Sequence, residues 1–185
     1  MKDMKVKDLM VSISDYATVY QEATLFEALL ALEKADEKLD PAEHRHLAIL
    51  ILDKKDRVVG KLSQWDILKA LEPKYRKIED LEKISRAGFS PQFLKSMLVQ
   101  HALWNKPLMD VCRAGGKNKV KDIMYNPTEG EYILANASLA EAINQLIVGQ
   151  FLSLLVVDEE NNIIGILNLI DVIDEVRQTM KSCGI

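Results

Sequence analysis

The sequence predicts a mixed α/β fold in which a β-α-β-β-α unit occurs twice, with a helical insert between the copies. Three observations predict it. VVGKLSQWDIL at 58–68 returns as IIGILNLIDVI at 163–173, KVKDLM at 5–10 returns as KVKDIM at 119–124, and TLFEA at 24–28 is answered by SLAEA at 138–142. Met10 to Met124 and Thr24 to Ser138 keep one offset, 114 residues, whereas Gly60 to Gly165 and Asp53 to Asp158 keep 105. The first copy therefore carries nine extra residues, placed between Ala28 and Leu47. Repeats of this length are duplicated supersecondary units that bury their apolar faces against each other.

In chain order, the KVKDLM lead alternates and ends in Met, as expected of a segment docking onto the body of the protein. Ser14 and Asp15 make a turn, and YATVY at 16–20 has the aromatic and β-branched content of a short strand. Thr24 offers a hydroxyl as N-cap and Glu27 sits at the third helical position, a capping box. Leu25, Ala28, Leu29 and Leu32 then supply an apolar stripe at helical spacing. Ser138 and Glu141 repeat the box. Residues 35–46 are charged and contain Pro41, so they predict a loop with a short helical turn. His44 and His46 there do not share a helix face, and no carboxylate or thiolate spacing completes a metal set.

LAILIL at 47–52 and LSLLVV at 152–157 are continuous apolar runs, which implies strands covered on both faces. Residues 54–57 and 159–162 are turns, 58–62 and 163–167 return as second strands, and 66–71 and 171–180 have helical spacing. The organisation expected is a first repeat at 5–72, an insert at 73–118 and a second repeat at 119–180. In the insert, 75–87 reads as a helix ending at Gly88. Ser90 then caps another helix with Pro91 at its first position. Phe93, Leu94, Met97, Leu98, His101 and Trp104 form one apolar face, to be buried against the repeats, a second subunit or a partner. His101 on that stripe reads as a packed core histidine. A third short helix is expected at 107–113.

A chain of 185 residues buries roughly 70% of its unfolded surface and needs no disulfide or metal to hold its core. Cys112 and Cys183 form no CxxC pattern and no apolar leader opens the chain, which points to a reducing cytoplasm. The longest apolar runs fall well short of the ~20 residues of a membrane span. The net charge of −4 is unevenly placed: 73–121 holds eleven Lys or Arg against four acids. That segment is either a solvated basic surface or faces something anionic, such as the acidic repeats, a phosphate-bearing ligand or an outside partner. Nucleic acid is the weaker partner, because the basic residues are scattered among acids and apolar residues. There is no nucleophile elbow, P-loop, GxGxxG or metal cluster, and the acid pair Glu159–Glu160 lies in a predicted turn, so no enzyme chemistry is expected.

The polar signature inside the repeat carries the candidate site. Ser63 closes a strand and opens a helix, where free N–H groups and the positive dipole end favour an anion, so its hydroxyl can help hold a phosphate. Asp66, one helical turn on, projects on the same side and can accept both hydroxyls of a ribose. Gly60 permits close backbone approach. The same residues also suit an ordinary helix, Ser63 as N-cap and Asp66 as first-turn acid.

The order of strands, caps and helices, the DLM and DIM leads, and Gly60-Lys-Leu-Ser63-Gln-Trp-Asp66 resemble a tandem pair of CBS domains, the Bateman module. The resemblance spans both repeats and leaves the insert unexplained. It implies two repeats related by pseudo-two-fold symmetry and an adenosine nucleotide (AMP, ADP or ATP) as ligand rather than as a required cofactor. It also implies a regulatory role through rearrangement of a homodimer packed through helices. By position, base-side contacts in the first copy fall to Tyr16, Ala17 and Thr18, and in the second to Gly130 through Tyr132. Glu131 there is unfavourable close to phosphate but tolerable near a base amine. In the second copy Asn168 replaces the hydroxyl residue while Asp171 remains, so the Ser63/Asp66 site is the preferred one. Leu50 and Leu155 stand where the family commonly shows Pro, a matter of packing. The alternative is a protein-interaction module whose clefts are filled by side chains and whose amphipathic insert contacts a protein target.

Overall fold

The computed structural model describes residues 4–39, 46–78 and 89–184. The capping boxes form as the sequence requires. Thr24 Oγ1 accepts from the Glu27 N–H at 3.2 Å and the Glu27 carboxylate accepts from the Thr24 N–H at 2.7 Å, opening α1 (Leu25–Asp36). Ser138 and Glu141 do the same, at the same distances, for α6 (Leu139–Gly149). The bonds from Thr24 hold the Glu27 carboxyl below its ordinary value.

After each of these helices the chain enters a buried hairpin, β3 (Ala48–Leu52) with β4 (Val58–Ser63) and β6 (Ser153–Val157) with β7 (Ile163–Asn168). The turns are built by aspartate: Asp53 accepts from the Lys55 and Arg57 N–H groups, and Asp158 from those of Glu160 and Asn162. Asp56 and Asn161 take equivalent left-handed positions at φ 58° and 62°, which short polar side chains tolerate. β2 (Thr18–Tyr20) lies parallel to β3, and β5 (Tyr132–Leu134) parallel to β6, because a crossover helix separates each pair in sequence. α2 (Gln64–Leu71) and α7 (Leu169–Ser182) close the two units.

The leads do dock, but each docks onto the other repeat. β1 (Val11–Ser12) pairs antiparallel with β7, so one sheet runs β1-β7-β6-β5 and the other β2-β3-β4. At the related place Lys61 and Tyr125 exchange backbone bonds at 3.1 and 2.8 Å. Val6 accordingly lies in the core of the second repeat, while Val120 and Ile123, on α5 (Val120–Ile123), lie in the core of the first. Gly60 and Gly165 allow this exchange: a Cβ on Gly165 would stand 2.5 Å from the Val11 carbonyl, and one on Gly60 3.0 Å from that of Tyr125. The close approach expected at Gly60 is thus made by the opposite lead. A third cluster, built on Tyr16, Leu50, Leu155 and Ile166, fills the space between the sheets.

The nine extra residues follow α1. Of the described ones, His46 returns to the helix end, where its backbone N–H and Nδ1 both meet Asp36 Oδ1, at 3.0 and 2.9 Å. His44 lies outside the described residues.

The insert departs in part from expectation. Residues 73–77 form a 3-10 turn, and most of the helix expected at 75–87 lies outside the described residues. Ser90 caps α3 (Pro91–Gln100), with its Oγ 3.2 Å from the Phe93 N–H, and α4 (Leu108–Gly115) is the third helix. The apolar face of α3 is not buried against the described residues: Phe93, Leu94 and Leu98 are exposed, and so is His101, which ends the helix instead of packing in a core. Trp104 leaves the stripe, because Ala102 and Trp104 adopt positive φ and turn the chain away. Its backbone N–H instead binds the buried Glu72 carboxylate at 2.7 Å. Part of the basic segment does face the acidic repeat, with Lys121 paired to Glu22 at 3.0 Å.

Candidate functional site

The two related strand-to-helix junctions have become chemically different. At the start of α2, Ser63 and Asp66 satisfy each other. Ser63 Oγ donates to the Asp66 carboxylate at 2.6 Å and accepts from the Asp66 N–H at 3.3 Å, and the Ser63 N–H adds a bond at 2.9 Å. This is a closed capping box, so a ligand reaching either side chain must displace a bond already made.

At the start of α7, Asn168 makes no side-chain cap, and the first helical N–H, that of Leu169, binds the Leu152 carbonyl at 2.9 Å. Its amide nitrogen donates to Asp171 at 2.8 Å, and its amide oxygen accepts from the Tyr16 hydroxyl at 3.3 Å. Asn168 and Tyr16 are both buried, so this bond ties the two repeats together away from water. Burial pushes the Tyr16 phenol well above its ordinary value, outweighing bonds from the Ala48 and Leu47 backbone, and the ring stays neutral. Tyr16 also meets the His46 ring edge to face, with centroids 4.4 Å apart. A continuous chain of contacts thus runs Asp36–His46–Tyr16–Asn168–Asp171 across the floor between the repeats.

Above that floor lies a cleft of about 960 Å³. One wall is α7, through Asp171, Asp174, Glu175 and Gln178; the other comprises the first lead, the β1 segment and the end of α1. Ser63 and Asp66 do not line it. The residues expected to act together are therefore redistributed. Tyr16, assigned by position to the first copy, sits with Asn168 and Asp171. Ala17 is a core residue and Thr18 a strand residue paired with Leu50. The Gly130 and Tyr132 carbonyls are held by the Gln145 side-chain amide, which docks this segment onto α6.

Beside the Ser63 junction, the buried Lys61 ammonium pairs with the buried Glu131 carboxylate. By the repeat offsets these positions correspond to Ile166 and Ala17, so an ion pair stands where the other half has apolar side chains. Burial acts to raise the Glu131 carboxyl, but Lys61, the Thr128 N–H and the Tyr125 hydroxyl outweigh it and leave it below its ordinary value. Sequence reasoning singled out Glu131 but not its partner. The available signal was Lys61 itself, a charge inside a strand that must be buried. Asp36 and His46 were missed because their contact depends on how the extra segment returns.

Among the described residues no group of three His, Cys, Asp or Glu side chains could hold a metal ion, and no helix is long and apolar enough to cross a membrane.

Comparison with solved structures places this architecture. A CBS domain-containing protein of unknown function from Bacillus anthracis superposes with a TM-score of 0.62 at 19% identity, covering 96% of this chain and 95% of that one. CBSX2 in complex with AMP gives 0.58 at 19% identity, covering 95% and 98%. The protein MJ1004 from Methanocaldococcus jannaschii gives 0.57 at 18% identity over 95% of this chain, which spans 60% of that longer protein. The CBS domain of a bacterial CNNM/CorC family Mg2+ transporter in complex with ATP gives 0.59 at 17% identity, covering 95% and 88%. No match was found among the curated proteins. The CBS domain model matches residues 6–73 and 120–178, both copies of the repeat and most of the chain, and the protein therefore belongs to the CBS domain family as a tandem pair.

Proposed function

We propose that the protein is a non-enzymatic regulatory module that binds an adenosine-containing nucleotide in the cleft between its repeats and signals by rearranging. The observation that carries this reading is the Asn168/Asp171 junction. A helix start with no side-chain cap, whose N–H groups beyond that of Leu169 suit a phosphate, and a carboxylate suited to ribose hydroxyls open together onto a cleft large enough for a nucleotide. CBS domains of similar fold are known in complex with AMP and with ATP. The ligand belongs to the Asn168/Asp171 side, the reverse of the preference the hydroxyl at Ser63 suggests. Because the cleft walls come from both repeats, a ligand that prefers one spacing of the walls shifts the module toward it; only unequal affinity can do so.

Thermal melting of wild type, Asp171→Ala and Asp66→Ala with millimolar AMP, ADP or ATP tests the assignment. A ligand at 100 times its dissociation constant stabilises by about 2.7 kcal/mol. The expected result is a rise in Tm for wild type and Asp66→Ala, the latter from a baseline lowered by about 1 kcal/mol through loss of the cap, and no rise for Asp171→Ala. A rise lost in Asp66→Ala and kept in Asp171→Ala returns the ligand to the other junction.

The module also pairs with a second copy through its helices, a reading supported by the apolar side chains these leave uncovered: Phe26, Trp65 and Leu68 on α1 and α2, and Ile147, Val148 and Ile173 on α6 and α7. Sedimentation equilibrium is expected to give twice the chain mass for wild type and the single mass for Trp65→Lys; a wild-type monomer at micromolar concentration refutes the pairing. The exposed row Phe93, Leu94, Leu98 and Val99 on α3 favours, as a second reading, contact with a protein target. Pull-down with wild type and Leu98→Glu distinguishes it, since a specific partner is lost only with the variant.

A further inference from the structure

Asp171, Asp174, Glu175 and Gln178 recur at the spacing of one helix face, so the wall of the cleft that leads away from the start of α7 carries three carboxylates in succession. Asp15 adds a fourth from the β1 side, and among the described residues the lysines lining the cleft are Lys7 and Lys38. Arg177 pairs with Asp174 at 2.6 Å and offsets that one charge; Glu175 accepts from a neutral hydroxyl, that of Thr179, at 3.2 Å. His46 at the floor is held by Asp36, its Nδ1 2.9 Å from Asp36 Oδ1.

From this arrangement we infer that the cleft selects against phosphate number: it takes adenosine or its monophosphate in preference to the di- and triphosphate, with Glu175 as the specificity-determining residue. The inference rests on the nucleotide reading above and deepens it. A first phosphate can sit at the N–H groups of α7, where the helix dipole favours it. A second and third must extend past that point, and the path along α7 brings them against Asp171 and Glu175. Like charges within several Å at an interface of intermediate dielectric repel strongly enough to change affinity by about tenfold, and salt reduces the effect. The nucleoside portion, being uncharged, does not sense the wall in this way.

The test is isothermal titration of the full chain with adenosine, AMP, ADP and ATP at low and at physiological ionic strength, on wild type and Glu175→Lys. Glu175 is half-buried on a helix wall, so the substitution leaves the core intact. For wild type the dissociation constant is expected to rise about tenfold from AMP to ATP at low salt and less at physiological salt. In Glu175→Lys the ratio of ATP to AMP affinity is expected to increase by about tenfold or more. ATP binding wild type as tightly as AMP overturns the inference and leaves the nucleotide reading standing. A wild-type order that Glu175→Lys does not change overturns the assignment to this wall. Binding of none of the four by folded protein removes the nucleotide reading and the inference together.

Discussion

Lys61→Met and Glu131→Gln are each expected to destabilise the protein by about 3–5 kcal/mol, whereas the double variant loses much less than their sum. Both side chains are buried, so removing either charge strands the other away from water, and that uncompensated charge is what costs free energy. In the double variant no charge remains, while the glutamine amide introduced at position 131 still offers an oxygen to the Thr128 N–H that Glu131 binds at 3.1 Å. Chemical denaturation of the four proteins gives the coupling energy directly, and additive single losses would mean the pair is not buried as described.

The pair also predicts a pH dependence of definite sign. Glu131 has its folded carboxyl below the ordinary value, so its stabilisation is complete above the unfolded value of about 4.3 and is lost as the pH falls through the lower folded value. The stability gap between wild type and Glu131→Gln is therefore expected to be constant from neutral pH down to about 5 and to narrow below about 4. A gap that widens on acidification contradicts the assignment.

Leu50→Ala and Leu155→Ala are each expected to cost about 2–5 kcal/mol, the range for emptying a closed site. Each is fully buried, at 0% exposure, on a central strand, and both belong to the cluster that fills the space between the sheets with Tyr16 and Ile166. The two substitutions share that space, so the double variant departs from additivity. Their loss also loosens the wall carrying Tyr16, and nucleotide-induced stabilisation is expected to fall with them, which thermal melting checks. Losses below about 1 kcal/mol for each single variant would show that the sheets do not rely on this cluster.

The duplicated unit was legible because each of its devices is local. A capping box needs only Thr24 and Glu27, or Ser138 and Glu141; a strand covered on both faces needs only the run at 47–52 or 152–157; a turn needs only Asp53 or Asp158 with the N–H groups that follow it. The same locality let Ser63 and Asp66 be read equally as ligand groups or as a cap, and in the folded chain they form the cap. The apolar stripe of α3 was legible as a pattern, yet periodicity does not say what covers it: Phe89 stacks on Phe93, while Leu94 and Leu98 stay exposed.

What the sequence by itself determined is therefore the repeat, its order of elements, its caps and turns, and the offset that locates the extra segment after the first helix. Only the tertiary structure decided which lead packs on which repeat, that Tyr16 belongs with Asn168, 152 positions further on, and with Asp171, and that Lys61 meets Glu131. The physical reason is that hydrogen-bonded caps and hydrophobic periodicity act over a few residues, whereas the cleft is made where two equivalent units exchange their opening segments. Each copy keeps a glycine at the crossing, Gly60 or Gly165, where the opposite lead passes too close for a side chain, so both copies can receive a lead there.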